Sequence, residues 1–430
     1  MTIDTAAELP VRFAELKQAI AKSYPDFEQR ITQAWKEIIE QLEEFSKVIQ
    51  KEGSSYVPQV NFKDLGALSE EQIAKIRRVG TVVIKDIVDD EHAIAWRESL
   101  EKFVKDNPDV QGSPVGDKQF FELYWTKAQV QARSHPNVLA ATVWLNQLYH
   151  VKNEKNQPGG VDLSVSLSYA DRFRIRHPGI WNMHPPHVDG GSIERWEDPN
   201  FRMCFADILS GNWQKHDPYD LEGRLNAKSS LYGRPSQSSV FRTFQGWLAM
   251  SETGPNEGTL KVLPDVHLST AYIILRPFFR PLVSPDSEGI YDPKNWEIDL
   301  TSSRFPGIFP RDGGYGGPQP TELLHPHLRL GATMTSIPKV YPGDAVFWHC
   351  DVVHSVEVEH TGNAESAVMY IPAVPMTSMN LGYVERQKRC FLSKERPPDF
   401  PQGEGESKWV GVATVDDILS DAGKVAMGFA

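Results

Sequence analysis

The chain has 430 residues and a formal net charge of −12, from 45 Lys and Arg against 57 Asp and Glu. With 40% hydrophobic and 24% charged residues it has a globular balance, which excludes a coiled coil, a collagen-like repeat and a mainly disordered chain. At about 150 residues per domain the length admits two or three domains or one large decorated domain, and the acidic balance, with no basic stripe, argues against nucleic acid as a partner.

The N-terminus, MTIDTAAELPVRFAELKQAI, lacks a cationic start followed by an apolar run, so no signal peptide is expected. Residues 11–50 carry apolar residues every three or four positions and predict helix, interrupted at Pro25. Its later half has a stripe of Ile31, Trp35, Ile38, Ile39, Leu42 and Phe45. Packing on its own domain is the expectation, with a homodimer contact as the alternative. Residues 51–68 read as a connector, so that 1–68 form a helical extension and 69–430 the main domain. Ser69 with Gln72 predicts a capping box, and Gly80 a helix end. TVVIKDIV follows as a strand, then a helix capped by Asp89 or Asp90 and closed at Pro108.

From about residue 161 short β-type runs follow one another: VDLSVSLSYADRFRIR, SSVFRTFQGWLAMS, GTLKVLP, AVFWHC and SAVMYIPAVP. They suggest a sandwich or barrel. Two polar, Gly/Pro-rich stretches, about 190–236 and 281–330, read as insertions or lids. No stretch approaches the ~18 apolar residues of a membrane span. Three distant cysteines, Cys204, Cys350 and Cys390, give no disulfide framework, and reduced thiols in a cytoplasmic protein are expected.

The chemistry concentrates in two segments. In His187-Val188-Asp189-Gly190-Gly191, positions i and i+2 of an extended chain share a face, so one imidazole and one carboxylate reach a single metal ion. The glycines beyond remove side-chain bulk. The second segment, PGDAVFWHCDVVHS (342–355), is a turn and an apolar strand delivering a histidine. A His, a carboxylate and a distant second His make the facial triad of non-haem Fe(II) enzymes, which leaves three coordination positions open. His354 is assigned as the distal ligand, ahead of His349 and Asp351, which share a strand face with Phe347. A third segment, NEGTLKVLPDVH (256–267), reads as a turn and a strand ending in Pro. His184 does not form an i, i+4 zinc pair, His325 and His327 read as loop histidines, Arg195 and Trp196 as substrate contacts or, alternatively, lid packing, and GGYGG (313–317) lacks the Lys-Ser/Thr of a phosphate loop.

The order of these segments resembles the phytanoyl-CoA-dioxygenase-like branch of the Fe(II)/2-oxoglutarate oxygenases. The strings SYADRFRIRHPG, HVDGGSIERW, FRTFQGW, FWHCDVVHS and VMYIPAVP are closer still to the YbiU-like family of bacteria and fungi. The resemblance implies an α+β chain with a double-stranded β-helix (jelly-roll, cupin-like) core and flanking helices. It implies His187, Asp189 and His354 as ligands of Fe(II), with 2-oxoglutarate and dioxygen as cosubstrates. The activity expected is oxidation of a C–H bond of a small molecule, by hydroxylation, cyclisation or desaturation, with a small polar or amino-acid substrate by analogy alone. Many relatives place an arginine about ten residues after the distal histidine, to hold the far carboxylate of 2-oxoglutarate. Here that stretch is HTGNAESAVMY, without Arg or Lys. Arg242, in a β-type run between aromatics, is the first replacement and Arg174 the second. Arg172 and Arg176, on the Arg174 face, are read as structural. The missing cation leaves two alternatives open: a metal and small-molecule binding protein without turnover, and a cupin-like metalloenzyme using no 2-oxoacid.

Overall fold

The structure, a computed structural model, describes residues 8–152 and 160–429; the first seven residues of the expected helical extension lie outside them. Pro25 divides the N-terminal helical region as the sequence requires. Helices Arg12–Lys22 and Phe27–Glu52 flank it, and the Ser23 N–H turns back to the Ile20 and Ala21 carbonyls. All six residues of the apolar stripe are buried. They pack within the chain, where Trp35 stacks on Tyr272 at 5.0 Å and on Phe279 at 4.4 Å. The surface they bury against comes from helix Val266–Leu275 and from both insertions. Those insertions are folded rather than loose. The first forms short helices that bury Trp196, Phe201, Phe205 and Ile208, and the second a hairpin of Phe309–Arg311 with Gly314–Gly316.

Ser69 forms the predicted capping box: its side chain accepts from the Gln72 N–H and the Gln72 side chain accepts from the Ser69 N–H. Gly80 ends that helix in the left-handed conformation at φ 71°. Asp89 occupies the N-cap of helix Asp90–Asp106 without a side-chain hydrogen bond, so that terminus is favoured instead by the charges of Asp90 and Glu91 in its first turn.

The main sheet has eight strands, in the order Gln59–Asn61, Thr81–Lys85, Ala345–His349, Phe244–Ala249, Ser366–Tyr370, Phe173–Arg176, Phe120–Phe121 and Gly112–Ser113. Every pairing is antiparallel except the first. Side-chain alternation divides its two faces. Phe347, Leu248, Met369 and Phe173 meet Trp96, Leu100, Ala141 and Leu145 of the helical layer. Val346, Trp348, Trp247, Ala249 and Val368 meet Leu260, Val262 and Ile337. Leu260 and Val262 belong to a second sheet, ordered Thr335–Ser336, Leu260–Val262, His354–Val356. The molecule is therefore a mixed α+β structure in which one large sheet is covered by helices on one side and by a small sheet on the other.

Three departures from the sequence reading bear on the site. The run 161–176 is not one strand: Asp162–Leu167 pairs with Val374–Met376 in a separate ribbon, and Phe173–Arg176 joins the main sheet. Arg242 lies two residues before the Phe244–Ala249 strand rather than inside it. The strand fed by the PGD turn ends at His349, and the chain then crosses to the second sheet, where His354 opens a new strand. Gly343 in that turn (φ 88°) runs against the Val88 carbonyl, where a Cβ would come within 2.0 Å, so only glycine fits.

Candidate metal centre

His187 and His354 face each other as a hydrogen-bonded antiparallel pair. Each N–H donates to the other's carbonyl at 2.9 Å. This bridge fastens the HVD segment to the edge of the small sheet, and the Val188 N–H, donating to the Pro318 carbonyl at 2.9 Å, fixes its other side. Asp189, two residues on, turns its carboxylate between the imidazoles. Nε2 of His187 lies 3.5 Å from Oδ1, and Nε2 of His354 lies 3.6 Å from Oδ2. The two rings are 4.2 Å apart. Gly191, at φ 115°, presses on Phe201, where a Cβ would come within 2.6 Å of the ring; beside Gly190 there is open space.

The outer nitrogens fix the tautomers. His187 Nδ1 lies 2.6 Å from the Pro185 carbonyl and His354 Nδ1 lies 3.0 Å from that of Val352. A carbonyl only accepts, so both Nδ1 atoms carry a proton, and the Nε2 atoms are the ones turned toward Asp189. Burial, reinforced by His354, pushes His187 below the usual imidazole range and keeps it neutral. Burial disfavours the Asp189 charge, but the two imidazoles and Arg242 outweigh it and hold that carboxyl well below its usual range. Ligands about 2.1 Å from an ion and at right angles to one another lie about 3 Å apart, so each imidazole needs to close on the carboxylate by only about half an ångström to share one. They all lie within 4.8 Å of one another.

The rival residues are committed elsewhere. His349 is fully buried, stacks on Tyr149 at 5.5 Å, and uses Nδ1 to accept the Asp351 N–H and Nε2 to reach the Pro218 carbonyl. Asp351 accepts from Arg195 at 2.6 Å and from Arg224. His349, Cys350 and Asp351 also cluster closely, but the two guanidinium groups already satisfy that carboxylate. Arg195 is no mere lid residue. While one nitrogen binds Asp351, another donates to the Asp189 carbonyl at 2.8 Å and a third to that of Gly191 at 3.3 Å, tying the metal segment to the buried ion pair. No spacing rule in the sequence links residues 195, 224 and 351, and this network is what sequence reasoning missed.

His184 accepts from the Trp181 indole at 2.9 Å and lines the cavity without joining the donor cluster. His325 and His327, expected in loops, are buried. His327 meets the Tyr272 hydroxyl at 3.1 Å and packs on Trp35, because the second insertion folds against the N-terminal helices.

A cavity of about 480 Å3 opens over the three donors, within the size range of small-molecule sites. Trp247, Trp348 and Tyr370 contribute to its wall. Arg174 is almost fully buried and reaches this cavity from the Phe173–Arg176 strand. Its Nη2 donates to the Gly258 carbonyl at 3.2 Å, while Nε and Nη1 have no partner. Arg242, half-buried, sits over the Tyr169 ring at 5.4 Å and lines the same cavity. Arg172 is paired with Asp171 at 3.1 Å and Glu122 at 3.5 Å, and Arg176 donates to the carbonyls of Glu357, Gly179 and Val358.

The Gig2-like family model matches residues 7–429. The chain belongs to the Gig2-like family. It is 32% identical to uncharacterized protein YbiU of Escherichia coli K12 over 444 residues, covering 99% of this chain and 98% of that protein. Among solved structures, GlcNAc Inducible Gene 2 of Candida albicans superimposes with a TM-score of 0.86 at 33% identity, over 99% of this chain and 91% of that one. A hypothetical protein of Escherichia coli superimposes with a TM-score of 0.80 at 30% identity, over 99% and 100%. A putative oxidoreductase of Salmonella typhimurium LT2 superimposes with a TM-score of 0.80 at 31% identity, over 99% of both chains. No helix among the described residues of this Gig2-like chain is long and apolar enough to cross a membrane.

Proposed function

We propose that the chain is a non-haem Fe(II)/2-oxoglutarate-dependent oxygenase built on a double-stranded β-helix core and acting on a small molecule. The observation that carries this reading is the donor set: two imidazoles that both turn Nε2 toward one carboxylate, at 3.5 and 3.6 Å, facing a cavity. Two His and one carboxylate on one side of an ion are the ligands of Fe(II) oxygenases, and they leave room for cosubstrate and dioxygen. Iron held there supplies the oxidising chemistry: dioxygen is consumed, 2-oxoglutarate becomes succinate and CO2, and a C–H bond of the substrate is oxidised.

The chain's own residues hold, orient and shield. His187, Asp189 and His354 hold the ion, and their backbone bridge keeps the two imidazoles in register. Arg174 is our choice for the far carboxylate of 2-oxoglutarate, ahead of Arg242. A buried guanidinium with two unpartnered nitrogens is costly, and a carboxylate would satisfy both in a bidentate fork. The cation that the stretch after His354 lacks is thus available from a neighbouring strand. Trp247, Trp348 and Tyr370 limit water at the reacting centre.

The test is succinate release and oxygen uptake with Fe(II), 2-oxoglutarate and ascorbate. Uncoupled turnover requiring both iron and 2-oxoglutarate, and absent from Asp189→Ala, is expected. Binding of both without succinate release would leave a binding protein. Iron-dependent activity indifferent to 2-oxoglutarate would leave a metalloenzyme of another kind. Arg174→Gln is expected to raise the KM for 2-oxoglutarate at least tenfold while Fe(II) affinity is retained; an unchanged KM returns the role to Arg242.

A further inference from the structure

The cavity over the metal centre holds more positive charge than the proposed chemistry uses. Five arginines line it: Arg172, Arg174, Arg234, Arg242 and Arg311. Arg172 is neutralised by Asp171 and Glu122, and Arg311, at the exposed rim, lies 3.4 Å from Asp312. Arg174, Arg234 and Arg242 have no carboxylate within salt-bridge distance among the described residues, and Nε of Arg234 is buried without a partner.

Charge balance separates these three, on the reading of the site proposed above. The two charges of a ferrous ion and that of Arg174 are matched by the Asp189 carboxylate and the two carboxylates of 2-oxoglutarate. Arg234 and Arg242 remain. Both line the cavity that holds Asp189 and feel its carboxylate; Glu194 and Asp312 also act on Arg234, and Asp171 and Asp399 on Arg242, all from beyond salt-bridge distance. Arg242, Asp189, Gly190 and Gln245 also line a second, smaller space of about 40 Å3. Both guanidinium groups are half-buried and solvated while the cavity is open. A substrate that displaces that water must replace it with acceptors, and an anionic group does so most favourably.

We propose that the substrate of this site is an organic anion whose carboxylate or phosphate is bound by Arg234 and Arg242. The anion is held beside Asp189, and the rest of the molecule lies against the aromatic wall of Tyr169, Trp247 and Tyr370, which receives a flat or apolar body better than a compact polar one. A neutral molecule of the same shape leaves two guanidinium groups desolvated and unpaired, so the arrangement selects by charge.

Calorimetric titration of the full chain, anaerobic with Fe(II) and saturating 2-oxoglutarate, tests this with benzoate, phenyl phosphate and benzamide as probes. At least one anion is expected to bind tenfold or more tightly than benzamide, and the better anion tells a carboxylate site from a phosphate site. In the R234Q/R242Q double variant the preference should fall below threefold. Arg234→Gln alone, in a partly exposed loop, should show part of the loss and serves where the double variant melts early. Benzamide binding as well as both anions, or an anion preference intact in the variants, overturns the inference. Loss of the preference in the variants together with absent succinate release would sink the oxygenase reading alone. Succinate release with no charge preference would sink this inference alone.

Discussion

Asp351 braces the candidate metal site without being one of its three donors. Its carboxylate is clamped between Arg195 and Arg224, and Arg195 passes the restraint to the backbone of Asp189. All three side chains are buried, so removing the charge strands two guanidinium groups, a change that costs about 3–5 kcal/mol when one partner of a buried pair is lost. Asp351→Asn is expected to lower the melting temperature by several degrees and to weaken Fe(II) binding. A variant that melts like the parent and binds iron equally well would show the clamp to be dispensable. Residue-level legibility followed separation along the chain. The His187–Asp189 pair was readable because two residues on one extended segment share a face. His354 was separable from His349 as a choice, but the reason for it, that His349 is spent on Tyr149 and Pro218, exists only in the folded chain.

At the scale of elements, Lys17 lies where the N-terminal helices meet the second insertion. Its ammonium is fully buried, 3.4 Å from the Ser302 hydroxyl and 4.0 Å from Asp299. Burial outweighs the pull of Asp299 and pushes its pKa down from 10.5 to about 8. The folded state therefore releases this proton before the unfolded state does. Between pH 8 and 10.5 the unfolded state binds more protons, and unfolding becomes harder as pH rises through that window. Lys17→Met removes this contribution. The variant should be the more stable protein at about pH 7.5, and urea midpoints should show its lead shrinking by about pH 9.5; a constant lead would contradict the assignment. The helices around Pro25 were legible because their apolar stripe has the helical period. Helix Val266–Leu275 was not, because all but one of its residues are buried, and a helix apolar on every side has no stripe. The 161–176 run misled for the opposite reason: its β-type composition is continuous, while the chain changes sheets within it.

Over the whole molecule, the site exists because two sheets share one apolar layer and the chain crosses between them from His349 to His354. That strands dominate the later part of a mixed α+β chain was readable from short runs and turns. The ordering of eight strands was not, since pairing partners such as Phe173–Arg176 and Ser366–Tyr370 lie far apart in the chain. A centre assembled from distant segments couples metal binding to the global fold. At a hundredfold excess over its Kd an ion that binds only the native state adds about 2.7 kcal/mol. Anaerobic Fe(II) should therefore raise the melting temperature of the parent, and the rise should vanish in His354→Ala.

The most direct measurement is an anaerobic optical titration of the protein with Fe(II) and 2-oxoglutarate. A weak visible charge-transfer band should saturate at one equivalent of iron, and it should disappear in His187→Ala, Asp189→Ala and His354→Ala alike. No band in the parent, or a band that survives His354→Ala, would contradict a ferrous centre held by these three side chains.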